Sequence, residues 1–120
     1  MKAIVVDDSR AMRSILKRLL TQIGFDVIEA GDGKQALDTL EQSGPVDLAL
    51  VDWNMPVMTG LELIGEVRGK TRFDPMAIMM VTTETEAAQV ERALAAGANE
   101  YVMKPFTKDV INDKLRLLGF

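Results

Sequence analysis

Polar side chains stand directly after several short apolar segments of the chain, where strands would end. Three are carboxylates, two are hydroxyls and one is an ammonium group; in chain order they are Asp7, Asp8, Asp52, Thr82, Thr83 and Lys104. Clustered carboxylates repel one another, so without a cation at least one pKa should rise. Mg²⁺ suits such hard oxygen ligands and leaves room for phosphate oxygens. The set predicts a phosphoryl-transfer site, where an aspartate can be the nucleophile.

The segment 48–56 is the centre of this prediction. Its apolar residues run into Asp52, Asn54 stands two residues later, and Pro56 bars regular strand pairing beyond that point. A short apolar run bounded by turn signals is typical of a buried strand. Open α/β sheets bind ligands at the carboxyl ends of such strands, although Asp52 taken alone is as readily a loop residue.

Apolar periodicity alternates between strand and helix along the whole chain. Strands are predicted at 3–6, 25–30, 47–51, 77–81 and 100–103. Helices are predicted between and after these strands. The first helix is capped by Ser9 and ends at Gly24, the fourth lies at about 86–96, and the last is capped by Thr107. This (βα)5 pattern predicts an α/β fold with a doubly wound parallel sheet and right-handed crossovers. Of two plausible sheet orders, the flavodoxin-like order 2-1-3-4-5 makes the three carboxylates neighbours.

Helical spacing also predicts which side chains face the core. In the first helix these are Met12, Ile15, Leu16, Leu19, Leu20 and Ile23, with Arg10, Arg13, Lys17 and Arg18 on a solvated face. In the later helices they are Ala36, Leu37, Leu40, Leu61, Ile64, Val67, Val90, Leu94, Val110, Ile111, Leu115 and Leu118. The fourth helix is rich in alanine, so we expect it to pack more weakly than the first.

Composition excludes several classes of function. The chain has 120 residues, which suits one domain over 1–120, and its net charge of −4 argues against a nucleic-acid-binding surface. It contains no cysteine and no histidine, so disulfides, thiolate metal sites and histidine catalysis are impossible. The N-terminus is not a signal peptide and no apolar run could span a membrane. We expect a cytoplasmic, soluble protein.

Six segments of the sequence match the receiver domains of two-component response regulators. They are Val6-Asp7-Asp8-Ser9, Asp52-Trp53-Asn54-Met55-Pro56, Gly60-Leu61-Glu62-Leu63, Val81-Thr82-Thr83-Glu84, Gly97-Ala98 and Tyr101-Val102-Met103-Lys104-Pro105-Phe106. Together they extend from one end of the chain to the other. The sequence therefore resembles this family, and within it most closely the single-domain response regulators of chemotaxis.

The resemblance implies how the predicted site would work. Asp52 would be the phosphoacceptor. Mg²⁺ would bind to Asp8, Asp52 and the main-chain carbonyl of Asn54, while Asp7 would hold the waters of the metal. Lys104 would pair with a phosphoryl oxygen, and the peptide bond between Lys104 and Pro105 would be cis.

The resemblance also implies a switch and a means of tuning it. The hydroxyl of Thr82 would bond the phosphoryl group, and Tyr101 would change its rotamer on activation. The positions of Asn54 and Glu84 would tune dephosphorylation, and a polar pair there suggests fairly fast turnover.

The implied partners are a histidine kinase as phosphodonor and a downstream target protein, with the flagellar switch as one candidate and a phosphatase as a further partner. We expect them on the face made by the fourth helix, the fifth strand and the fifth helix, because the fourth helix is weakly anchored and Thr82 and Tyr101 flank it. No nucleic acid or membrane partner is expected, and the protein should be a monomer.

Other functions remain open on the residues alone. A stand-alone receiver could be a phosphorelay intermediate. A phosphatase with an aspartate nucleophile usually has a second aspartate two residues on as general acid, where this chain has Asn54. A flavodoxin-like cofactor binder would need a phosphate-cradling loop after the first strand, where Asp7 and Asp8 would repel phosphate. We therefore expect a signalling domain rather than an enzyme.

Overall fold

The computed structural model of the protein describes residues 1–84 and 86–120. Over these residues the chain forms five strands, β1 (Lys2–Val6), β2 (Asp26–Ala30), β3 (Leu48–Val51), β4 (Ala77–Thr82) and β5 (Glu100–Met103). The helices are α1 (Arg10–Ile23), α2 (Gly33–Ser43), α3 (Gly60–Arg68), α4 (Ala87–Ala96) and α5 (Lys108–Leu117), and a 3-10 turn, Thr71–Phe73, precedes β4. The predicted alternation of strand and helix is confirmed.

The strands form one parallel sheet in the order β2-β1-β3-β4-β5, which confirms the flavodoxin-like prediction. Val6, Val51 and Met80 are register partners across the three central strands. The residues that follow these strands therefore emerge at one edge of the sheet, where open α/β sheets bind their ligands. The edge strand β2 is the most exposed, as its mixed polarity predicts.

Alternate residues of the same strands supply two apolar cores, one on each face of the sheet. One face packs Ile4, Ala49 and Ile78 against α2, α3 and α4. The other packs Leu50 and Met79, among others, against α1 and α5. Burial on both faces explains why the central strands are continuous apolar runs rather than alternating ones.

Side-chain caps set the beginning of α1, α3 and α5 at the polar edge. The hydroxyl of Ser9 accepts a hydrogen bond from the Met12 amide at 3.2 Å, and Thr107 does the same for the amide of Val110. Thr59 and Glu62 form a reciprocal capping box at the start of α3. The main-chain N–H of Thr59 lowers the pKa of the Glu62 carboxyl by bonding its charged form.

Several predictions of inward-facing side chains are wrong. Ile15 and Ile23 on α1, Leu94 on α4 and Val110 on α5 are exposed, with exposed fractions from 36% to 49%. The buried residue of α4 is the small Ala93, and α3 buries Leu63 in addition to Ile64 and Val67. Each helix lies against the sheet along a stripe narrower than its apolar surface, so apolar residues at the margin of the stripe remain in water.

Of the residues that the structure describes, none forms a helix long and apolar enough to cross a membrane.

Candidate functional site

Three carboxylates meet at the carboxyl edge of the sheet. One oxygen each of Asp7, Asp8 and Asp52 lies within 4.8 Å of the others. Asp7 and Asp52 are buried, with 1% and 9% of their surface exposed, whereas Asp8 is open to solvent. The structure thus brings together the acidic residues that the sequence places after β1 and β3.

Burial makes the charged form of Asp52 unfavourable. The pKa of this carboxyl is raised, first by its burial, and also by the negative charges of Asp7 and Asp8. Lys104 and the main-chain N–H of Trp53 oppose the rise without cancelling it. Because Asp52 follows directly from the buried strand β3 and its own amide donates to the carbonyl of Val6 at 2.9 Å, it cannot move away from this cluster.

Lys104 extends its ammonium group into the acidic cluster. Its Nζ lies 2.8 Å from Oδ2 of Asp7 and 3.6 Å from Oδ2 of Asp52. Its main-chain N–H donates to the carbonyl of Thr82 at 2.8 Å, which holds the end of β5 against the end of β4. The peptide bond between Lys104 and Pro105 is cis, as expected from the family resemblance. The ammonium can therefore bond an anionic oxygen carried by Asp52.

Asp7 is the most strongly held carboxylate of the three. Its Oδ1 accepts from the amide of Ser9 at 2.8 Å and its Oδ2 from Lys104. Its own amide donates to the carbonyl of Ala30 at 3.2 Å, and its carbonyl accepts from Nη1 of Arg13 at 2.5 Å. Both ends of this residue are thus fixed by neighbouring elements.

The main chain of Glu84 joins the two residues predicted to form a switch. The buried hydroxyl of Thr82 accepts from the Glu84 amide at 3.3 Å, and the Tyr101 hydroxyl donates to the Glu84 carbonyl at 2.6 Å. The Tyr101 ring is only 7% exposed, so in this structure it already occupies an inward position. Its burial and the nearby Glu84 carboxylate raise the pKa of the Tyr101 hydroxyl.

The two residues predicted to tune dephosphorylation contact one another. Nδ2 of Asn54 donates to Oε1 of Glu84 at 3.1 Å. Asn54 is exposed and Glu84 is half-buried, so the pair lies at the solvent side of the site. By contrast, the structure leaves Thr83 exposed. Of the two threonines at the end of β4, Thr82 is therefore the one that is buried.

Gly60 allows α3 to approach the carboxyl end of β3. Its amide donates to the carbonyl of Trp53 at 2.8 Å. A Cβ at this position would overlap the carbonyl oxygen of Asp52 and would lie 2.9 Å from its carbonyl carbon. A glycine is therefore required for close packing here, a role that the sequence alone did not reveal.

Arg13 is a second residue that the sequence analysis missed. It was predicted to lie on the solvated face of α1, yet its side chain is only 17% exposed and contacts Asp7 and Glu29. Spacing does set it apart from the exposed Arg10, because Arg13 stands three residues before Leu16 and seven before Leu20, beside the buried stripe of α1. Its main-chain partner is what spacing does not reveal.

The donor set fits a magnesium ion. All three side chains supply hard carboxylate oxygens, and the raised pKa of Asp52 is the expected mark of a site that needs a cation. The main chain of Asn54, two residues after Asp52, can add a carbonyl oxygen.

Comparisons with known proteins agree with this geometry. The response regulator receiver domain family matches residues 3–116. A chemotaxis protein CheY homolog of Campylobacter jejuni is 49% identical over 96% of this chain and 89% of its own length. A solved chemotaxis response regulator of Vibrio cholerae is 33% identical with a TM-score of 0.90, covering 98% of this chain and 97% of its own. The Thermotoga maritima response regulator TrrA in complex with Mg²⁺-BeF is 34% identical with a TM-score of 0.85, over 98% and 97% of the two chains.

Fold, site and sequence similarity over nearly the whole length lead to one conclusion: the chain belongs to the response regulator receiver domain family.

Proposed function

We propose that this receiver domain is a phosphorylation-activated response regulator of chemotaxis, which accepts a phosphoryl group on Asp52 from a histidine kinase. The observation that carries the proposal is the position of Asp52, buried at the end of β3 between two carboxylates and the ammonium of Lys104. The chemotaxis assignment is supported by relatives named as CheY proteins at 44% and 49% identity.

In the proposed reaction Asp52 is the nucleophile. One of its carboxylate oxygens forms a bond to phosphorus while the bond from phosphorus to the imidazole nitrogen of the donor breaks, and that nitrogen keeps the electron pair. Lys104 pairs with a phosphoryl oxygen, for which its position 3.6 Å from Asp52 is suitable. Asp8, Asp52 and the Asn54 carbonyl would hold Mg²⁺, and Asp7 would hold its waters; the bound ion would neutralise the phosphoryl charge. A protein that catalyses only its own modification in this way is a signalling domain.

Loss of the phosphoryl group follows attack by water on phosphorus, which releases inorganic phosphate and restores the Asp52 carboxylate. The contact between Asn54 and Glu84 places an amide and a carboxylate at the solvent side of the site. Polar groups there can orient an attacking water, so we infer fairly fast turnover. A phosphorylated state that lasts for hours would contradict this inference.

The proposed output is a change on the face made by α4, β5 and α5. A phosphoryl group on Asp52 would attract the Thr82 hydroxyl, which now accepts from Glu84. This would alter the main chain of Glu84, to which Tyr101 is bonded. Such coupling biases a two-state element, and a partner that prefers one state shifts the equilibrium in the same direction.

Exposed apolar side chains support this choice of face. Leu94 on α4, Met103 on β5 and Val110 on α5 are 46%, 47% and 39% exposed, one on each element. We propose that a target protein binds there, with the flagellar switch as the first candidate and a phosphatase as another partner. Activity as a cytoplasmic monomer is part of the proposal.

Acetyl phosphate tests the phosphoacceptor without any kinase. Incubation with Mg²⁺ should add one phosphoryl group, detected by intact-mass spectrometry, and Asp52→Asn should abolish the addition. The matched control is Asp38→Asn, which removes an exposed carboxylate on α2 and should leave the addition unchanged. A modification that persists in Asp52→Asn would refute the assignment, and steady turnover of a phosphomonoester would favour the aspartate phosphatase instead.

Amide exchange tests the output face. With Mg²⁺ and beryllofluoride, protection should change in residues 83–106 more than in α1 and α2. Changes confined to α1 and α2 would refute the face. A Thr82→Ala protein that still gains full affinity for its target on phosphorylation would refute the coupling through Thr82, even if the face were right.

A further inference from the structure

The guanidinium of Arg13 lies behind the first two carboxylates of the site. Its Nη1 donates to the carbonyl oxygen of Asp7 at 2.5 Å, and its Nε lies 3.4 Å from Oε1 of Glu29 on the edge strand β2. Lys17, one turn further along α1, contacts the other oxygen of Glu29 at 3.6 Å. The Arg13 side chain is thus held at both sides and points away from solvent.

The Asp7 carbonyl belongs to the peptide group that joins Asp7 to Asp8. A peptide group is planar, so a bond to its carbonyl oxygen also restrains the amide nitrogen and the Cα of Asp8, from which the Asp8 side chain leaves the main chain. This matters for Asp8 more than for Asp7. The carboxylate of Asp7 has its own bonds to Ser9 and Lys104, whereas within 1–84 and 86–120 the Asp8 carboxylate has no hydrogen bond or ion pair.

We propose that Arg13 is a positioning residue, which orients the Asp7–Asp8 peptide group so that the Asp8 carboxylate is ready to bind Mg²⁺. The inference rests on the proposed magnesium site. Because Arg13 also contacts Glu29, the edge strand β2 supports that site as well. Arginine suits this role because two nitrogens of its planar guanidinium contact the carbonyl and the carboxylate in a fixed arrangement, whereas lysine offers a single ammonium nitrogen on a flexible stem.

Two effects of Arg13 on Mg²⁺ affinity have opposite signs, which makes the proposal testable. As a positive charge near a cation site, Arg13 repels Mg²⁺, so removal of the charge alone would tighten binding. As a positioning residue it pre-arranges a ligand, so its removal would weaken binding, because Mg²⁺ binding must then also order the main chain. The sign of the change therefore separates the two roles.

The experiment is a MgCl₂ titration of the unphosphorylated protein at constant ionic strength, followed by calorimetry and by the fluorescence of Trp53, the residue next to Asp52. We expect Arg13→Gln to bind Mg²⁺ about tenfold more weakly, which equals about 1.4 kcal/mol. Arg13→Lys keeps the charge and should be about threefold weaker, since it cannot retain both contacts. Arg10→Gln is the matched control: it removes the same charge from an exposed position on α1 and should bind as tightly as the wild type, or more tightly.

A second readout separates positioning from general damage. At saturating Mg²⁺ the rate of phosphorylation by acetyl phosphate should return towards the wild-type value in Arg13→Gln, because the bound ion itself then orders Asp8. Affinity equal to or tighter than the wild type in Arg13→Gln would overturn the proposal. If that variant does not fold, unchanged affinity in Arg13→Lys would overturn it. A wild-type protein that does not bind Mg²⁺ would instead refute the proposed metal site.

Discussion

Replacement of Asp52 by asparagine should stabilise the metal-free protein. The substitution removes one negative charge from a buried cluster but keeps the shape of the side chain and an oxygen that can accept from Trp53. Lys104 retains its closer partner, Asp7, at 2.8 Å. The folded state therefore loses repulsion between carboxylates but keeps the ion pair between Lys104 and Asp7.

The distances give the expected magnitude. At an effective dielectric constant of about 20, like charges at the upper limit of 4.8 Å between the carboxylate oxygens repel by about 3.5 kcal/mol, and opposite charges 3.6 Å apart attract by about 4.6 kcal/mol. Repulsion from Asp7 and from the solvent-screened Asp8 thus roughly balances attraction by Lys104, and the cost of burying the charge of Asp52 is the largest remaining contribution. We expect the free energy of unfolding to rise by about 2 kcal/mol, or the melting temperature by about 8 °C.

The pH dependence has a definite sign. The pKa of Asp52 is raised in the folded state, so the wild type is relatively stable at pH values below the unfolded pKa, where the carboxyl is neutral in both states. It loses that stability as the pH rises through the folded pKa. The advantage of Asp52→Asn should therefore be near zero below about pH 4 and largest at pH 7.

The assay is urea unfolding in EDTA, followed by the fluorescence of the buried Trp53 at several pH values. Asp38→Asn, the exposed control on α2, should change stability by less than about 0.5 kcal/mol. Excess Mg²⁺ should reverse the order of stability, because a ligand at 100 times its Kd stabilises the wild type by about 2.7 kcal/mol. An Asp52→Asn protein that is no more stable than the wild type at pH 7 without metal, or whose advantage does not depend on pH, would refute the electrostatic reasoning.

Three further predictions concern the framework, and urea unfolding measures each. Gly60→Ala should destabilise by about 1–3 kcal/mol because its methyl group overlaps a carbonyl oxygen, whereas Gly65→Ala on the same helix has open space and should stabilise by about 0.5–1 kcal/mol. Arg68→Met should destabilise the protein by about 3 kcal/mol, since the Arg68 guanidinium donates to the main-chain carbonyls of Phe73, Met76 and Gly97. Val57→Asn should stabilise by about 1 kcal/mol, because Val57 has a φ of 70° and is exposed. An opposite sign in any of these would contradict the packing or strain assigned there.

Much of the site could be predicted from the sequence. Asp7, Asp52 and Lys104 each follow an apolar segment, and the carboxyl ends of parallel strands must meet at one edge of a sheet. The caps Ser9 and Thr107 are local signals, since a helix start needs an acceptor within three residues. The assignment of roles to Thr82 and Tyr101 depended on the resemblance to the family and remains a proposal.

The exposed faces of the helices could not be predicted in the same way. Leu94 and Val110 have the spacing of core residues, yet both lie in water. Periodicity identifies an apolar stripe, but the width of the stripe that is buried depends on how closely the helix approaches the sheet. In α4 that approach is made over the small Ala93, which sequence patterns rank below leucine as an anchor.

The sequence by itself determined the order of the strands and helices and the functional groups at the strand ends, because both depend on the types of neighbouring side chains. The tertiary structure decided which arginine supports the site. Arg13 and Arg10 are alike in charge and share one helix, but only Arg13 reaches the Asp7 carbonyl. Its acceptor is a main-chain group, which every residue carries. No pattern of side chains can mark such a pairing, so it appears only once the chain has folded.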